Sequence, residues 1–416
     1  MPGVLYFFSY FHRIAPVVVA ADLMRAFSVS AAALGNLSAI YPYCFAAMAL
    51  PGGSLADTLG PRRTLTLGAI TMSAGSILFG LAPTFALAFG GRLLVGLGAS
   101  VMLIVSLRLA AEWFRPDEFA TMSGWSQSVG SVGALVGTTP LALLVEQIGW
   151  RWSFAAIGGF TFVLALACFA FVRDRPQDLG LPPINPGRAP AGLPLREVLA
   201  GIPPVVRNSK TWTAVLTSTG VYGAFLAFFG LWGVPYLIQV HGLSRVNASN
   251  LVALGAVGLL LSAPLVGWLS DRLLGVRKPP LVLATALYAA AWAVLVLPGA
   301  PVPASWLGPL CFLLGVGSGS VVLVFACVRE VNDPRYVGVA LGFHNLPVFL
   351  GFALMQWLTG LTLDSQWEGM LAGGTRVYGP AAYRAAFGLC LAVSLGSLVS
   401  ACLVTETRCR NIWKAR

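Results

Sequence analysis

Charge is scarce in this chain: Asp, Glu, Lys and Arg together make up 10% of its 416 residues. Soluble domains carry about 25%, so a surface built from this sequence is unsuited to facing water on all sides. No aspartate or glutamate occupies the middle of any long apolar run. Paired carboxylates, Ser/His/Asp arrangements and clustered metal ligands are missing too, which leaves no basis for an enzyme. The seven cysteines (Cys44, Cys168, Cys311, Cys327, Cys390, Cys402 and Cys409) show no CxxC spacing and lie in or beside apolar segments. They read as small packing residues, not as disulfide staples or metal ligands. A nucleotide-binding loop is also missing. Gly96, Gly98, Gly315, Gly317 and Gly319 sit inside apolar runs, where close helix packing accounts for them. No cofactor is expected, and ATP drive is not.

What the chain has is hydrophobicity: 57% of residues are hydrophobic and the mean hydropathy is +0.81. Apolar stretches of about 20 residues cross a bilayer core of ~30 Å. Interrupting them at Pro, Gly and charge clusters gives twelve expected spans. They run over 4–24, 32–56, 64–83, 85–107, 119–146, 152–172, 211–239, 247–270, 279–298, 303–327, 336–363 and 383–404. The fold class is an all-α membrane protein of two six-helix bundles, 1–172 and 211–416, the second with a short cytoplasmic tail. The polar, Pro- and Arg-rich stretch 173–210 joins them. Within it, 195–199 reads either as a short amphipathic helix on the membrane or as part of a flexible tether. The first run begins by Val4 without a basic flank and carries His12 and Arg13, so it reads as a span, not a secretory leader. A natural start further upstream is compatible with this.

The net charge of +11 suggests no nucleic acid, because the basic residues fall in short loops. On one side of the expected spans lie 19 of the Arg and Lys residues, on the other 5, with Arg13 and Arg92 inside spans. Basic residues concentrate on the cytoplasmic side, which puts both termini in the cytoplasm. Arginine outnumbers lysine 23 to 3 in an Ala-, Gly- and Leu-rich chain, a bias of GC-rich bacterial genomes. A bacterial inner membrane, with the bilayer as partner, is expected.

The two halves repeat one another. Near the end of the second expected span the chain reads Gly53-x3-Asp57-x2-Gly60-Pro61-Arg62-Arg63. Near the end of the eighth it reads Gly267-x3-Asp271-Arg272-x2-Gly275-Val276-Arg277-Lys278. Arg151-x2-Phe154 parallels Arg384-x2-Phe387, and Gly96-x-Gly98 parallels Gly315-x-Gly317. Pro16 and Pro51 match Pro235 and Pro264, where prolines can soften helices that must rock.

On these motifs the chain resembles the major facilitator superfamily over essentially its whole length. Gly53, Asp57, Gly60, Arg62 and Arg63 match that family's loop between spans two and three, Arg92-x3-Gly96-x-Gly98 its span-four motif, and Trp150–Phe154 its approach to span six. The run 173–182 resembles the organophosphate antiporter and anion:cation symporter branches. Phosphate-ester exchangers of that kind pair basic residues in spans one and seven, whereas span seven here has none inside it. Gly130-x2-Gly133-x3-Gly137-x2-Pro140 resembles the antiporter signature only loosely. The resemblance implies that Gly53, Asp57, Arg62, Arg63, Gly267, Asp271, Arg272 and Arg277 form a cytoplasmic gate, the Asp accepting bonds from a neighbouring helix N-terminus. A plain charged turn is the alternative.

Ionisable groups inside a membrane are costly and point to function. Arg13 lies near the middle of span one with no carboxylate at its depth in that span. Asp22 is nine residues further along, about 13 Å on a helix. A substrate anion is one counter-charge for Arg13, and polar groups or backbone carbonyls are another. The resemblance implies that Arg92 bonds to span one, with Asp22 as candidate partner. His12, His344 and Asp22 are candidate proton carriers, neutral hydrogen-bonded histidines being the plainer reading. Tyr41, Gln127, Tyr222, Trp232 and Asn345 are polar or aromatic groups expected around a central cavity. The leading expectation is a monomeric secondary transporter of a small organic anion such as a carboxylate, with proton coupling. An efflux antiporter and a transporter-like ligand sensor are the competitors.

Overall fold

A computed structural model describes residues 1–49, 51, 55, 59–114, 119–182, 195–372 and 375–413. With no water in the bilayer core, each backbone polar group must be satisfied within its own segment. The apolar runs accordingly form helices. They are α1 Pro2–Ile14, α2 Pro16–Phe27, α3 Ala31–Ala47, α4 Pro61–Leu81, α5 Phe85–Ser100, α6 Met102–Trp113, α7 Phe119–Val136 and α8 Thr139–Phe171. After the central segment come α9 Leu195–Arg207, α10 Ser209–Ala227, α11 Gly233–His241, α12 Arg245–Trp268, α13 Lys278–Val296, α14 Ala304–Ser318, α15 Val321–Val331, α16 Val337–Ser365 and α17 Pro380–Leu403. One two-stranded ribbon, β1 Leu371–Ala372 against β2 Thr375–Arg376, precedes α17.

Among the described residues nine helical stretches are long and apolar enough to cross a membrane, or ten if the bent pair α1–α2 is one span. That pair bends by 52° where Pro16, lacking an N–H, interrupts the ladder. The stretch Ser128–Phe171 holds two of the expected spans, which meet at Gly149 (φ 76°). Only glycine takes that left-handed conformation readily, so the turn between them shrinks to a kink. Of the expected second span, α3 covers the first part, and Gly53 and Asp57 lie outside the described residues.

The chain forms two compact units: Met1–Val19 with Ile40–Gly192, and Ala20–Ala39 with Leu193–Arg416. In the first, α4 packs against α5 and α8. A Cβ on Gly75 would lie 2.5 Å from the Val95 amide nitrogen, and one on Gly91 2.7 Å from that of Phe79. The two backbones therefore touch, the usual device where no hydrophobic effect drives helices together. In the second unit α9 is a helix, not a tether. Its Val205 is buried with Val215, Leu323 and Val328 of neighbouring helices.

The same bracing recurs in each unit. Asp174, just past α8, accepts the Arg62 amide at 2.5 Å at the start of α4. At the far end of α4, Arg151 donates to the Ala82 carbonyl at 2.6 Å. In the second unit Glu406, just past α17, accepts the amides of Arg277 (2.9 Å) and Lys278 (2.8 Å) at the start of α13. Arg384 donates to the Gly299 carbonyl, beyond the other end of α13, at 3.1 Å. Acid sits at the helix N-terminus and base at the C-terminus, as the helix dipole favours. Burial pushes the Glu406 carboxyl up, but the amides of Arg277, Arg408 and Lys278 outweigh it and hold it below the ordinary glutamate range.

Candidate functional site

Arg13 stands in the last turn of α1, only 9% exposed, with its guanidinium carbon against three aromatic rings. Tyr10 is 4.4 Å away, Phe45 5.4 Å and Tyr41 5.9 Å. The sequence builds this cradle by helical spacing. Tyr10 lies three residues before Arg13 on one face of α1, and Tyr41 and Phe45 lie four apart on α3 with rings stacked at 4.8 Å. The Tyr41 hydroxyl donates to the Ser9 carbonyl at 2.6 Å, and the Ser9 hydroxyl donates to the Ala99 carbonyl at 3.2 Å. These bonds tie α1, α3 and α5 together and fix the ring. Aromatic faces stabilise a buried cation without neutralising it.

Arg92 has a different task. Its NH1 donates to the His12 carbonyl at 3.0 Å. In an unbroken helix that carbonyl accepts the amide four residues on, but residue 16 is proline and has none. Arg92 on α5 supplies the missing donor. Tyr41 and Phe79 flank its guanidinium at 5.7 and 5.8 Å. The expected bond to span one is therefore made, but not through Asp22, which instead pairs with Arg245 at 2.8 Å in the second unit. The side chain of His12 is fully buried between Phe11 and Phe154, with ring centroids 5.4 and 6.1 Å away. Neither ring nitrogen has a hydrogen-bond partner among the described residues.

In the second unit His344 is buried on α16, with Nε2 2.8 Å from the Ser218 hydroxyl and its ring 4.6 Å from Phe325. Asn345 beside it is half-buried. Tyr222 is half-buried on α10, its ring 6.4 Å from that of Phe225. Trp232 is fully buried at the end of a π-helical turn, Phe228–Trp232. The side chain of Gln127 lies outside the described residues. The structure thus brings Arg13, Tyr41, His12 and Arg92 together in the first unit, and places His344, Asn345, Tyr222 and Trp232 in the second.

The loop motif is described fully only in its second copy. Arg277 is buried and pairs with Glu330 at 2.8 Å and with the half-exposed Asp271, while NH1 also donates to Ser270 at 3.0 Å. Burial would push the Arg277 guanidinium down, but Glu330 and Asp271 outweigh it and hold it above its ordinary value. Gly267 lies 3.6 Å, measured from a notional Cβ, from Val322, and Arg272 is exposed. In the first copy Arg62 Nε donates to the Phe169 carbonyl at 2.8 Å and Arg63 is exposed. The helix N-termini are thus capped by Asp174 and Glu406, and Asp271 pairs with its own loop's arginine. Sequence reasoning misses both capping acids and Glu330. The signal is available: each half carries an acid at the matched place just after its last span.

The Major Facilitator Superfamily model matches residues 3–356 and 233–411. The chain belongs to this family of membrane transporters. Three relatives sharpen the comparison. The membrane sensor protein UhpC of Salmonella typhimurium is 24% identical over 88% of this chain and 85% of its own. A probable hexose phosphate transport protein of Chlamydia muridarum is 25% identical over 88% and 84%. The D-galactonate transporter of Escherichia coli is 24% identical over 82% and 83%. Among solved structures, a bacterial homolog of the human lysosomal transporter Spinster superimposes with a TM-score of 0.73 at 17% identity, covering 97% of this chain and 94% of that one. The protein is an integral, multi-pass membrane protein of the transporter class, similar to the organophosphate antiporter branch and not to enzymes.

Proposed function

We propose that this protein moves a small, singly charged organic anion, an aldonate-like carboxylate, across the membrane by alternating access, with its termini in the cytoplasm. The observation that carries the reading is the aromatic cradle of Arg13. It holds a guanidinium, the group best shaped to grip a carboxylate in two parallel bonds, at bilayer depth. Relatives named for galactonate and for hexose phosphate, both anions, support the anionic class. The carboxylate is favoured over the phosphate ester because span seven offers no second basic residue.

Purified protein in liposomes tests this. Galactonate or gluconate supplied outside should be taken up into the vesicles, and the neutral parent sugars should not. Equal uptake of neutral sugar would overturn the anion reading. A second reading, a ligand sensor, is kept by the similarity to UhpC. A sensor would bind the anion in those liposomes without moving it. Comparing uptake with and without a pH gradient decides whether protons accompany the anion.

A further inference from the structure

The helix start at Ala31 needs acceptors, because the first amides of a helix have none within it. Asp364, at the end of α16, provides them. Its Oδ1 accepts the Ala31 amide at 3.0 Å and its Oδ2 the Ala32 amide at 2.7 Å. The carboxylate is itself aimed by the Tyr378 hydroxyl at 2.8 Å and Arg376 NH1 at 3.1 Å, both donating to Oδ1. Next to this cap the helices touch through glycine. A Cβ on Gly35 would lie 2.5 Å from the Gln356 carbonyl oxygen, and one on Gly360 2.5 Å from that of Ala31. Alongside, Asp22 pairs with Arg245 at 2.8 Å, and Arg25 Nε donates to the Thr375 hydroxyl at 3.1 Å.

All these groups lie in the second unit, although residues 20–39 belong by sequence to the first half. They stand at helix ends expected on the face opposite the termini. We propose that Asp364 is an outer latch: it grips the N-terminus of α3 while the outer face is shut and lets go when the carrier opens outward. The chemistry suits a reversible contact. The glycine faces are flat and close, so the helices fit without interlocking. The bonds are few and charge-assisted, with partners that water can replace. Asp364 is 17% exposed and Arg376 30%, so water already reaches the rim. Asp22–Arg245 and Arg25–Thr375 guide the same surfaces into register. The proposal needs only that the chain alternates between two states, so its failure and that of the anion reading are separate results.

Spin labels at Ala33 and Gln366, on a background with the native cysteines replaced, report the gap by pulsed EPR in lipid nanodiscs. The protein with an intact latch should give mainly one short distance. Asp364→Ala should add a longer-distance population that becomes the major one, and Gly360→Leu should do the same by wedging the helices apart. An unchanged distance distribution in Asp364→Ala would overturn the latch. Should that variant fail to fold, Asp22→Asn and Arg376→Gln loosen the rim without uncapping α3. An added long-distance population in them supports the latch, and unchanged distributions in both refute it.

Discussion

Arg13 and Arg92 are two buried guanidiniums that flank the same tyrosine ring, yet their neighbours give them separate work. Arg92 serves the backbone, completing a carbonyl that Pro16 leaves open. Arg13 rests against three aromatic rings, one of them the same Tyr41. The need for a donor at His12 is legible in the sequence from Pro16, four residues on. Its source on another helix is not, because the sequence does not record which helix packs there. The same limit hides Glu330, which gives Arg277 its buried partner (side chains 5% and 3% exposed). Removing one member of a buried ion pair strands the other and costs about 3–5 kcal/mol. Arg277→Ala should therefore lower the thermal unfolding midpoint by several degrees, while Arg272→Ala, at an exposed position, should leave it nearly unchanged. Differential scanning fluorimetry of the purified variants measures both.

Helices are the most legible scale, since length and apolarity alone predict them. Their junctions are less so. Hydropathy separates the runs 119–146 and 152–172 by a loop, whereas the chain continues through a kink at Gly149. It reads 4–24 as one span, and Pro16, which the sequence marks as a place where that helix can soften, bends it by 52°. Backbone geometry, not hydropathy, sets these points. Glycines inside the apolar runs read as packing positions, and the contact of α4 with α5 through Gly75 and Gly91 fits that reading. A larger side chain there must push the two backbones apart, and overpacking costs about 1–3 kcal/mol. Gly75→Leu should reduce the yield of monodisperse protein and its midpoint, whereas Gly90→Leu, with open space around it, should not. Size-exclusion profiles after detergent extraction distinguish the two.

For the whole molecule, the internal repeat is the most informative sequence feature, because the motifs it carries are enough by themselves to suggest the family. The folded chain adds a deeper correspondence. Each half braces one helix at both ends with an acid and an arginine from the same partner helix or the residue just past it: Asp174 and Arg151, then Glu406 and Arg384. The arginines stand out as a repeat in the sequence. The acids recur at matched places too, but their capping role does not show, because the helices they cap begin more than a hundred residues away. The halves differ where function is proposed. Arg13 occupies the first, and Trp232, at the place matched through Pro16 and Pro235, occupies the second. That asymmetry is why one negative charge, not two, is assigned to the substrate. The most direct measurement is uptake of radiolabelled aldonate by liposomes containing Arg13→Gln, with the unsubstituted protein beside it. A drop of at least about tenfold, in a variant that elutes and melts like its parent, is the predicted result. Uptake at the parent rate would contradict it.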